Sequence, residues 1–311
     1  MDNIDFSCKH DVILLNGDGT WQHMDEPYFK AEQIAPDTWS IISDGDYAYL
    51  LAGDEKAIAI DTGCGAGNIC EFMQTLTDKP IMGVANTHHH FDHTASNCYF
   101  PMVYMAEEGV PIATIPFGSF AGIEFPRDYP VTVIKEGDVI DLGGRTLEVI
   151  AMPDHAISSL LYLDRKTRIL FVGDEIGNHG KMLNGTIAGF KAQLEKLMKF
   201  RSEFDYMCGG SHSMIEADYV EKYIECCDFI LAGNEGKPMG GGPGGPGGPG
   251  GPGGPGGEMK LPDNIPEGAK VYERKKPRPE DRGSGPKEGR EFQRAMEYAG
   301  VRIMYDCRKV R

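Results

Sequence analysis

The sequence predicts a mixed α/β protein. Short apolar runs of strand length recur between residues 39 and 172, many of them separated by Gly- and Asp-containing turns. After them come stretches in which apolar residues return every three or four positions, the period of a half-buried helix. No run approaches the roughly 18 consecutive apolar residues that a bilayer span needs, so a membrane protein is not expected.

The elements follow in order. Trp39–Ile42, Tyr47–Leu51 and Lys56–Ile60 are separated by Asp44-Gly45-Asp46 and Gly53-Asp54-Glu55, which reads as an antiparallel meander. Asp61-Thr62-Gly63 comes next, then a helix from Gly67 to Leu76. Pro80–Ala85 reads as a buried strand. In the middle, Val131–Ile134, Val139–Leu142, Thr146–Met152, Leu160–Leu163 and Ile169–Val172 read as strands, and Tyr206–Cys208 as a brief one. Ala192–Phe204 sets Leu194, Leu197 and Met198 on one helical face. Glu216–Leu231 does the same with Tyr219, Tyr223, Cys226, Cys227 and Ile230.

Residues 240–257 hold 13 Gly and 5 Pro. So short a Gly-Gly-Pro tract cannot sustain a collagen helix, and it is expected to be a flexible surface insertion. Beyond it, Glu291–Tyr298 reads as a helix and Val301–Asp306 as a strand. A strand needs a partner, so residues 258–311 are expected to fold back on a body formed by residues 1–239. The segment from Asn97 to Tyr129, with Phe100, Phe117, Phe120 and Phe125, reads equally as a pocket wall or as a connector.

The 311 residues carry a net charge of −16. Residues 1–239 hold 17 Lys+Arg against 37 Asp+Glu, so the body is strongly acidic. Such a surface repels phosphate backbones and anionic lipids, and neither nucleic acid nor membrane is expected as a partner. The first eleven residues include Asp2, Asp5, Lys9 and Asp11 and no apolar core, unlike a secretory leader. The eight cysteines form no Cys-x-x-Cys pair. The expectation is a cytoplasmic protein with reduced thiols.

The chemistry concentrates in Thr87-His88-His89-His90-Phe91-Asp92-His93. Imidazoles and a carboxylate within six residues, just past a buried strand, suit a first-row divalent metal. Without one, so many ionisable groups together are costly to desolvate.

With its downstream partners, the segment resembles the metallo-β-lactamase superfamily. His88-x-His90-x-Asp92-His93 matches that family's histidine motif. Pro153-Asp154-His155, Val172-Gly173-Asp174 and Gly209-Gly210-Ser211-His212 each follow a strand where the family has its later ligands. Ile60-Asp61-Thr62-Gly63 matches its first motif. The resemblance covers about residues 38–230.

The resemblance implies a four-layered αβ/βα sandwich, with two mixed sheets face to face and helices outside. It implies that His88, His90 and His155 bind one divalent metal, that Asp92, His93 and His212 bind a second, and that Asp174 bridges them. Zinc comes first among the metals, with iron or manganese served by the same donors. Asp61 is expected to orient a ligand histidine. Asp154 stands where the family has Gly, which brings an extra carboxylate beside the site. His179 is a candidate for touching substrate, and His89 is expected to point to solvent. A residue other than Cys at position 174 separates the chain from the lactamases that use a thiolate there.

The implied activity is hydrolysis of a small ester, lactone or thioester by a metal-bridging hydroxide, with Asp92 holding the proton. No Gly-x-Ser-x-Gly nucleophile motif competes with it. The alternatives are a persulfide dioxygenase with a single iron, a phosphodiesterase of the same fold, and a metal-binding module without turnover. The partner expected is a small-molecule substrate, with homo-oligomerisation left open.

Overall fold

The structure is a computed structural model that describes residues 12–15, 21–23, 29–43, 46–63, 68–115, 125–178, 180–239, 270–273 and 290–311. His179, Phe117, Phe120, Gly67 and the Gly-Gly-Pro tract therefore lie outside the described residues.

Two sheets form the centre. The first has seven strands in sequence order: β3 (Lys30–Ala35), β4 (Thr38–Ser43), β5 (Asp46–Ala52), β6 (Ala57–Ile60), β7 (Ile81–Ala85), β8 (Val103–Met105) and β9 (Val131–Val133). It is antiparallel from β3 to β6 and parallel from β6 to β9. The second has six: β10 (Val139–Asp141), β11 (Thr146–Ala151), β12 (Leu160–Asp164), β13 (Ile169–Gly173), β15 (Tyr206–Gly209) and β16 (Ile215–Glu216). Only its β13–β15 pair is parallel. A small separate sheet joins β1 (Val12–Leu15), β2 (Trp21–His23) and β18 (Lys270–Glu273).

Strand periodicity decides which residues face which layer. In β12 and β13, Leu160, Tyr162, Ile169 and Phe171 point inward and pack with Tyr49, Leu51, Ile58 and Ile60 of the first sheet. Their neighbours Leu161, Leu163, Leu170 and Val172 point outward, against α3 (Ile187–Leu197) and α4 (Tyr219–Leu231). On the far side, Ile41, Leu50 and Ala59 pack with Ile69 and Met73 of α1 (Ile69–Gln74). The layers run helix, sheet, sheet, helix, which is the expected αβ/βα sandwich.

A buried arginine ties the two sheets together. Arg145, in the β10–β11 turn, donates to Asp164 at the end of β12 and to the carbonyl oxygens of Asp37 and Ala52 and the hydroxyl of Thr38 in the first sheet.

A fourth sheet covers the outside, ordered β14 (Lys181–Met182), β20 (Val301–Asp306), β19 (Gln293–Tyr298) and β17 (Lys237–Pro238). Met296, Val301, Ile303 and Tyr305 join the core beneath α3 and α4. Here the expected helix over Glu291–Tyr298 is corrected to a short 3-10 turn, Arg290–Phe292, and a strand. The physical reason is the hairpin turn that follows. Ala299 and Gly300 both take positive φ, 53° and 80°, as a two-residue loop between twisted strands requires. Full pairing from Gln293 to Asp306 then outweighs the helix propensity of Arg-Ala-Met-Glu.

Two helix starts also differ from expectation. α3 begins at Ile187 and not at Ala192. Thr186 caps it by accepting from the Gly189 amide, and the Lys309 and Val310 carbonyl oxygens take the Ile187 and Ala188 amides. α4 begins at Tyr219, because Glu216 pairs with Tyr206 in the second sheet.

Candidate metal centre

β7 delivers the histidine segment. Beyond Ala85, the Asn86 carbonyl oxygen accepts from Tyr162 Oη at 2.7 Å. The side-chain Nδ2 of Asn86 donates to the His93 carbonyl oxygen, and the Asn86 and Asn97 side-chain amides pair with each other. The short helix α2 (Phe91–Thr94) then folds His93 back beside His88, with ring centroids 4.1 Å apart.

Asp61 sits beneath this segment in left-handed backbone, φ 58°. Its Oδ1 accepts the Thr87 amide at 2.7 Å. Its Oδ2 accepts the Thr87 hydroxyl at 2.7 Å and His93 Nδ1 at 2.8 Å. This wiring places the Nδ1 proton of two rings. His93 carries a proton on Nδ1. Although burial opposes it, the carboxylates of Asp61, Asp174 and Asp92 hold its pKa well above the usual imidazole range, so Nε2 is protonated too until an ion displaces that proton. Thr87 Oγ1 already donates its hydroxyl hydrogen to Asp61, so it accepts from His88 Nδ1 at 3.1 Å. His88 Nε2 is then a bare lone pair, buried and without a hydrogen-bond partner.

The other donors converge from three strand ends. His155 follows β11, and its Nε2 lies 2.9 Å from His90 Nδ1 and 3.5 Å from Asp174 Oδ2. Asp174 follows β13, and its Oδ1 lies 3.6 Å from His93 Nε2. Asp92 Oδ2 is 3.9 Å from the same nitrogen, while Asp92 Oδ1 is buried without a partner. His212 lies in the turn after β15. Its carbonyl oxygen takes the Gly209 amide at 2.8 Å, and Tyr49 Oη holds the Gly209 carbonyl oxygen at 2.7 Å. Gly210 in that turn lies so close to Asp174 and His93 that a Cβ would collide with both. Gly173, at φ 51°, likewise leaves room for Thr87.

Two groups of donor atoms each lie within 4.8 Å of one another: His88, His90 and His155, and His88, His93 and Asp174. The first is the trio expected from the sequence. In the second, His88 and Asp174 stand with His93, and neither Asp92 nor His212 belongs to it.

The electrostatics suit a cation. Burial pushes His88 well below the usual imidazole range, with the neighbouring His93, His155 and His90 adding to it. Burial and His155 lower His90 to about 3. Asp174 is buried, which opposes its charge, yet His93 and His155 hold it below the usual carboxylate range. The neutral imidazoles of His88, His90 and His155 and the ionised Asp174 are the forms that ligate a metal, whereas His93, held protonated by the carboxylates around it, would give up its Nε2 proton to do so. The lone Nε2 of His88 and the free Oδ1 of Asp92 are buried polar atoms that such an ion would satisfy, so the residues present fit a metal.

Several contacts were not foreseen. His89 is half-buried, and Ser158 Oγ holds it through its amide at 3.1 Å and its Nδ1 at 2.7 Å, so the expected solvent-facing orientation is corrected. Asp154 is buried against Lys181. Thr87, Ser158, Glu175 and Lys181 lie at or next to the site, and only Thr87 and Glu175, each adjacent to a motif residue, had a signal in the sequence. Phe100 is buried in the core, and Phe125 packs on Phe91 with centroids 4.6 Å apart.

Comparison with known proteins places this arrangement. Among curated proteins, the chain is 29% identical over 160 residues to an acyl-coenzyme A thioesterase of Bos taurus, covering 41% of this chain and 57% of that protein. It is 26% identical over 227 residues to a hydroxyacylglutathione hydrolase of Bdellovibrio bacteriovorus, covering 71% and 82%. The chain thus spans little more than half of the bovine protein. Two solved structures share the fold: a metallo-beta-lactamase from Pontibacter korlensis (16% identity, TM-score 0.51, 66% of this chain and 100% of that one) and a sec-alkylsulfatase from Pseudomonas sp. (14%, 0.54, 65% and 42%). The model of the metallo-beta-lactamase superfamily matches residues 44–230, which span every motif from Asp61 to His212, and the chain belongs to that superfamily.

Proposed function

We propose that the chain is a hydrolase that holds two divalent metal ions, zinc first, and cleaves a small ester, lactone or thioester. The observation that carries this reading is the pair of adjoining donor groups that share His88. His88, His90 and His155 would hold one ion. His93 and Asp174 would hold the second together with Asp92 and His212, and Asp174, within 3.6 Å of both His93 and His155, would serve both ions. Bound metals supply an activated water at neutral pH and polarise the carbonyl under attack.

The chain's own residues do the rest. Asp61 and Thr87 fix the two imidazole tautomers. Asp92, through the carboxylate oxygen not engaged by an ion, takes the proton released on attack and returns it to the leaving group. The names of the two relatives, an acyl-coenzyme A thioesterase and a hydroxyacylglutathione hydrolase, favour an acyl thioester. Gly109 lies against Ser158 and His89, and Val110 and Ile157, next to Gly109 and Ser158 in sequence, are exposed apolar side chains that an acyl group could meet.

The test is metal content per chain in untagged protein, followed by a panel of thioesters, lactones and esters. About two zinc ions per chain with thioester turnover is expected. About one iron, with no hydrolysis, would instead favour persulfide oxidation. Among the described residues no helix is long and apolar enough to cross a membrane. A cytoplasmic setting is part of the proposal.

A further inference from the structure

We propose that Lys181, with Asp154 and Glu175, forms a buried charged triad that positions the His155 end of the centre, and that Lys181 is a positioning residue for cation binding. This rests on the reading above that His155 and Asp174 hold metal.

The three side chains are almost wholly buried: Lys181 and Glu175 are 2% exposed and Asp154 is 5% exposed. Lys181 Nζ donates to Glu175 Oε2 at 2.7 Å and to the backbone carbonyl oxygen of Asp174 at 3.4 Å. It also lies 3.3 Å from Asp154 Oδ2, an ion pair without hydrogen-bond geometry. One ammonium therefore touches the turn that carries His155 and the turn that carries Asp174.

Glu175 completes the tie. Its Oε1 accepts the His155 amide at 2.8 Å and the Asp154 amide at 3.2 Å, and its Oε2 lies 3.0 Å from the His155 amide. On the other side of the same residue, Asn184 Nδ2 donates to the His155 carbonyl oxygen at 2.8 Å, and Asp154 Oδ1 accepts the Gly185 amide at 3.1 Å. Both peptide groups of His155 are thus held by side chains, and Nε2 is set 3.5 Å from Asp174 Oδ2.

Two carboxylates and one ammonium leave the triad with net charge −1 beside a site for cations. Since the ammonium itself opposes a cation, what Lys181 contributes to binding is the position of the two turns it joins and not attraction of the ion. Lys181 is held from behind. β14 pairs in parallel with β20, and Nζ lies 5.4 Å from the centre of the Phe190 ring. The C-terminal strand therefore supports the ammonium that supports His155. Asp154 replaces the Gly of the family pattern, and Lys181 is its counter-charge, 27 positions on in the sequence.

The experiment measures zinc affinity of the full chain by competition with a chromogenic chelator, with the metal-free melting temperature as a control. Lys181→Met is expected to weaken zinc binding about tenfold or more, and Lys181→Arg to recover part of the loss. Asp154→Gly, which keeps the Lys181–Glu175 pair and restores the family's residue, is expected to fold and to bind zinc several-fold more weakly. It decides the matter if Lys181→Met does not fold. Wild-type zinc affinity in a folded Lys181→Met or Asp154→Gly protein, with only a lowered melting temperature, would make the triad a stability element and overturn the proposal. A wild-type chain that binds no divalent metal would overturn the reading of the centre itself, and this proposal with it.

Discussion

Replacing Asp61 by Asn changes one atom, and its consequences follow from the hydrogen bonds. Oδ1 accepts the Thr87 amide at 2.7 Å. An amide N–H can only donate, so the oxygen of Asn must take that place. The new NH2 then occupies the Oδ2 position, against Thr87 Oγ1 and His93 Nδ1. Having two protons, it donates to both. His93 must now accept at Nδ1 and carry its proton on Nε2, the nitrogen that faces Asp174. Thr87 turns its hydroxyl proton to His88 Nδ1, which drives His88 to protonate Nε2 as well. Neither imidazole can then offer Nε2 to an ion. Asn tolerates the left-handed backbone of Asp61, φ 58°, as well as Asp does, so the fold should survive. Loss of one such orienting partner weakens metal binding about 10–100-fold, and with two rings affected the upper end is expected, about 2.8 kcal/mol. Competition with a chromogenic chelator reads this directly, alongside a melting curve of the metal-free protein. Zinc affinity within about twofold of wild type in a folded variant would refute the tautomer argument.

Three further outcomes are expected. Asp92→Asn, assayed at saturating zinc, should lose about 10²–10⁴-fold in kcat; full turnover with metal content intact would exclude Asp92 as the proton carrier. Arg145→Met strands the buried Asp164 carboxylate and two backbone carbonyl oxygens, and should cost about 3–5 kcal/mol, read as a lower urea midpoint with an unchanged m-value. Gly173→Ala forces a Cβ onto left-handed backbone and into Thr87, costing about 1–2 kcal/mol from the backbone alone; because Thr87 wires His88, zinc affinity should fall along with the melting temperature.

How much of this was legible depended on the range of the interactions involved. Most strands of the two central sheets were readable because they bury apolar side chains; β3, exposed over Lys30–Gln33, and the two-residue β16 were passed over. Leu160–Leu163 and Ile169–Val172 are buried on both faces, Tyr162 and Phe171 against the first sheet and Leu161 and Leu170 against the helices, so each survives in the sequence as a short unbroken apolar run. The start of α3 was not readable, because part of its cap comes from Lys309 and Val310, more than 100 residues away. The strand β19 was misread as a helix for a similar reason. Its local residues favour helix, and only the Ala299-Gly300 turn and the partner strand reverse that preference. The three-residue strand β8 was passed over because so short a run carries no period.

The site shows the same division more sharply. The candidate ligands are legible because a metal would demand particular donor atoms, and the strands that present them impose an order on the chain. The groups that tune those donors face a looser demand. Ser158 can hold His89, and Glu175 can hold the His155 amide, because any acceptor at the right distance would serve. Such residues leave no spacing to recognise. Asp154 is the instructive case. In the sequence it is only a departure from a pattern, a carboxylate where glycine is expected. In the fold it is one end of a buried charge pair whose other end lies on an edge strand held by β20. Lys181 is what makes an acidic residue tolerable at position 154, since its ammonium lies between the buried carboxylates of Asp154 and Glu175. A departure at a motif position therefore asks a specific question, which residue elsewhere in the chain neutralises it, and here the third dimension supplies the answer.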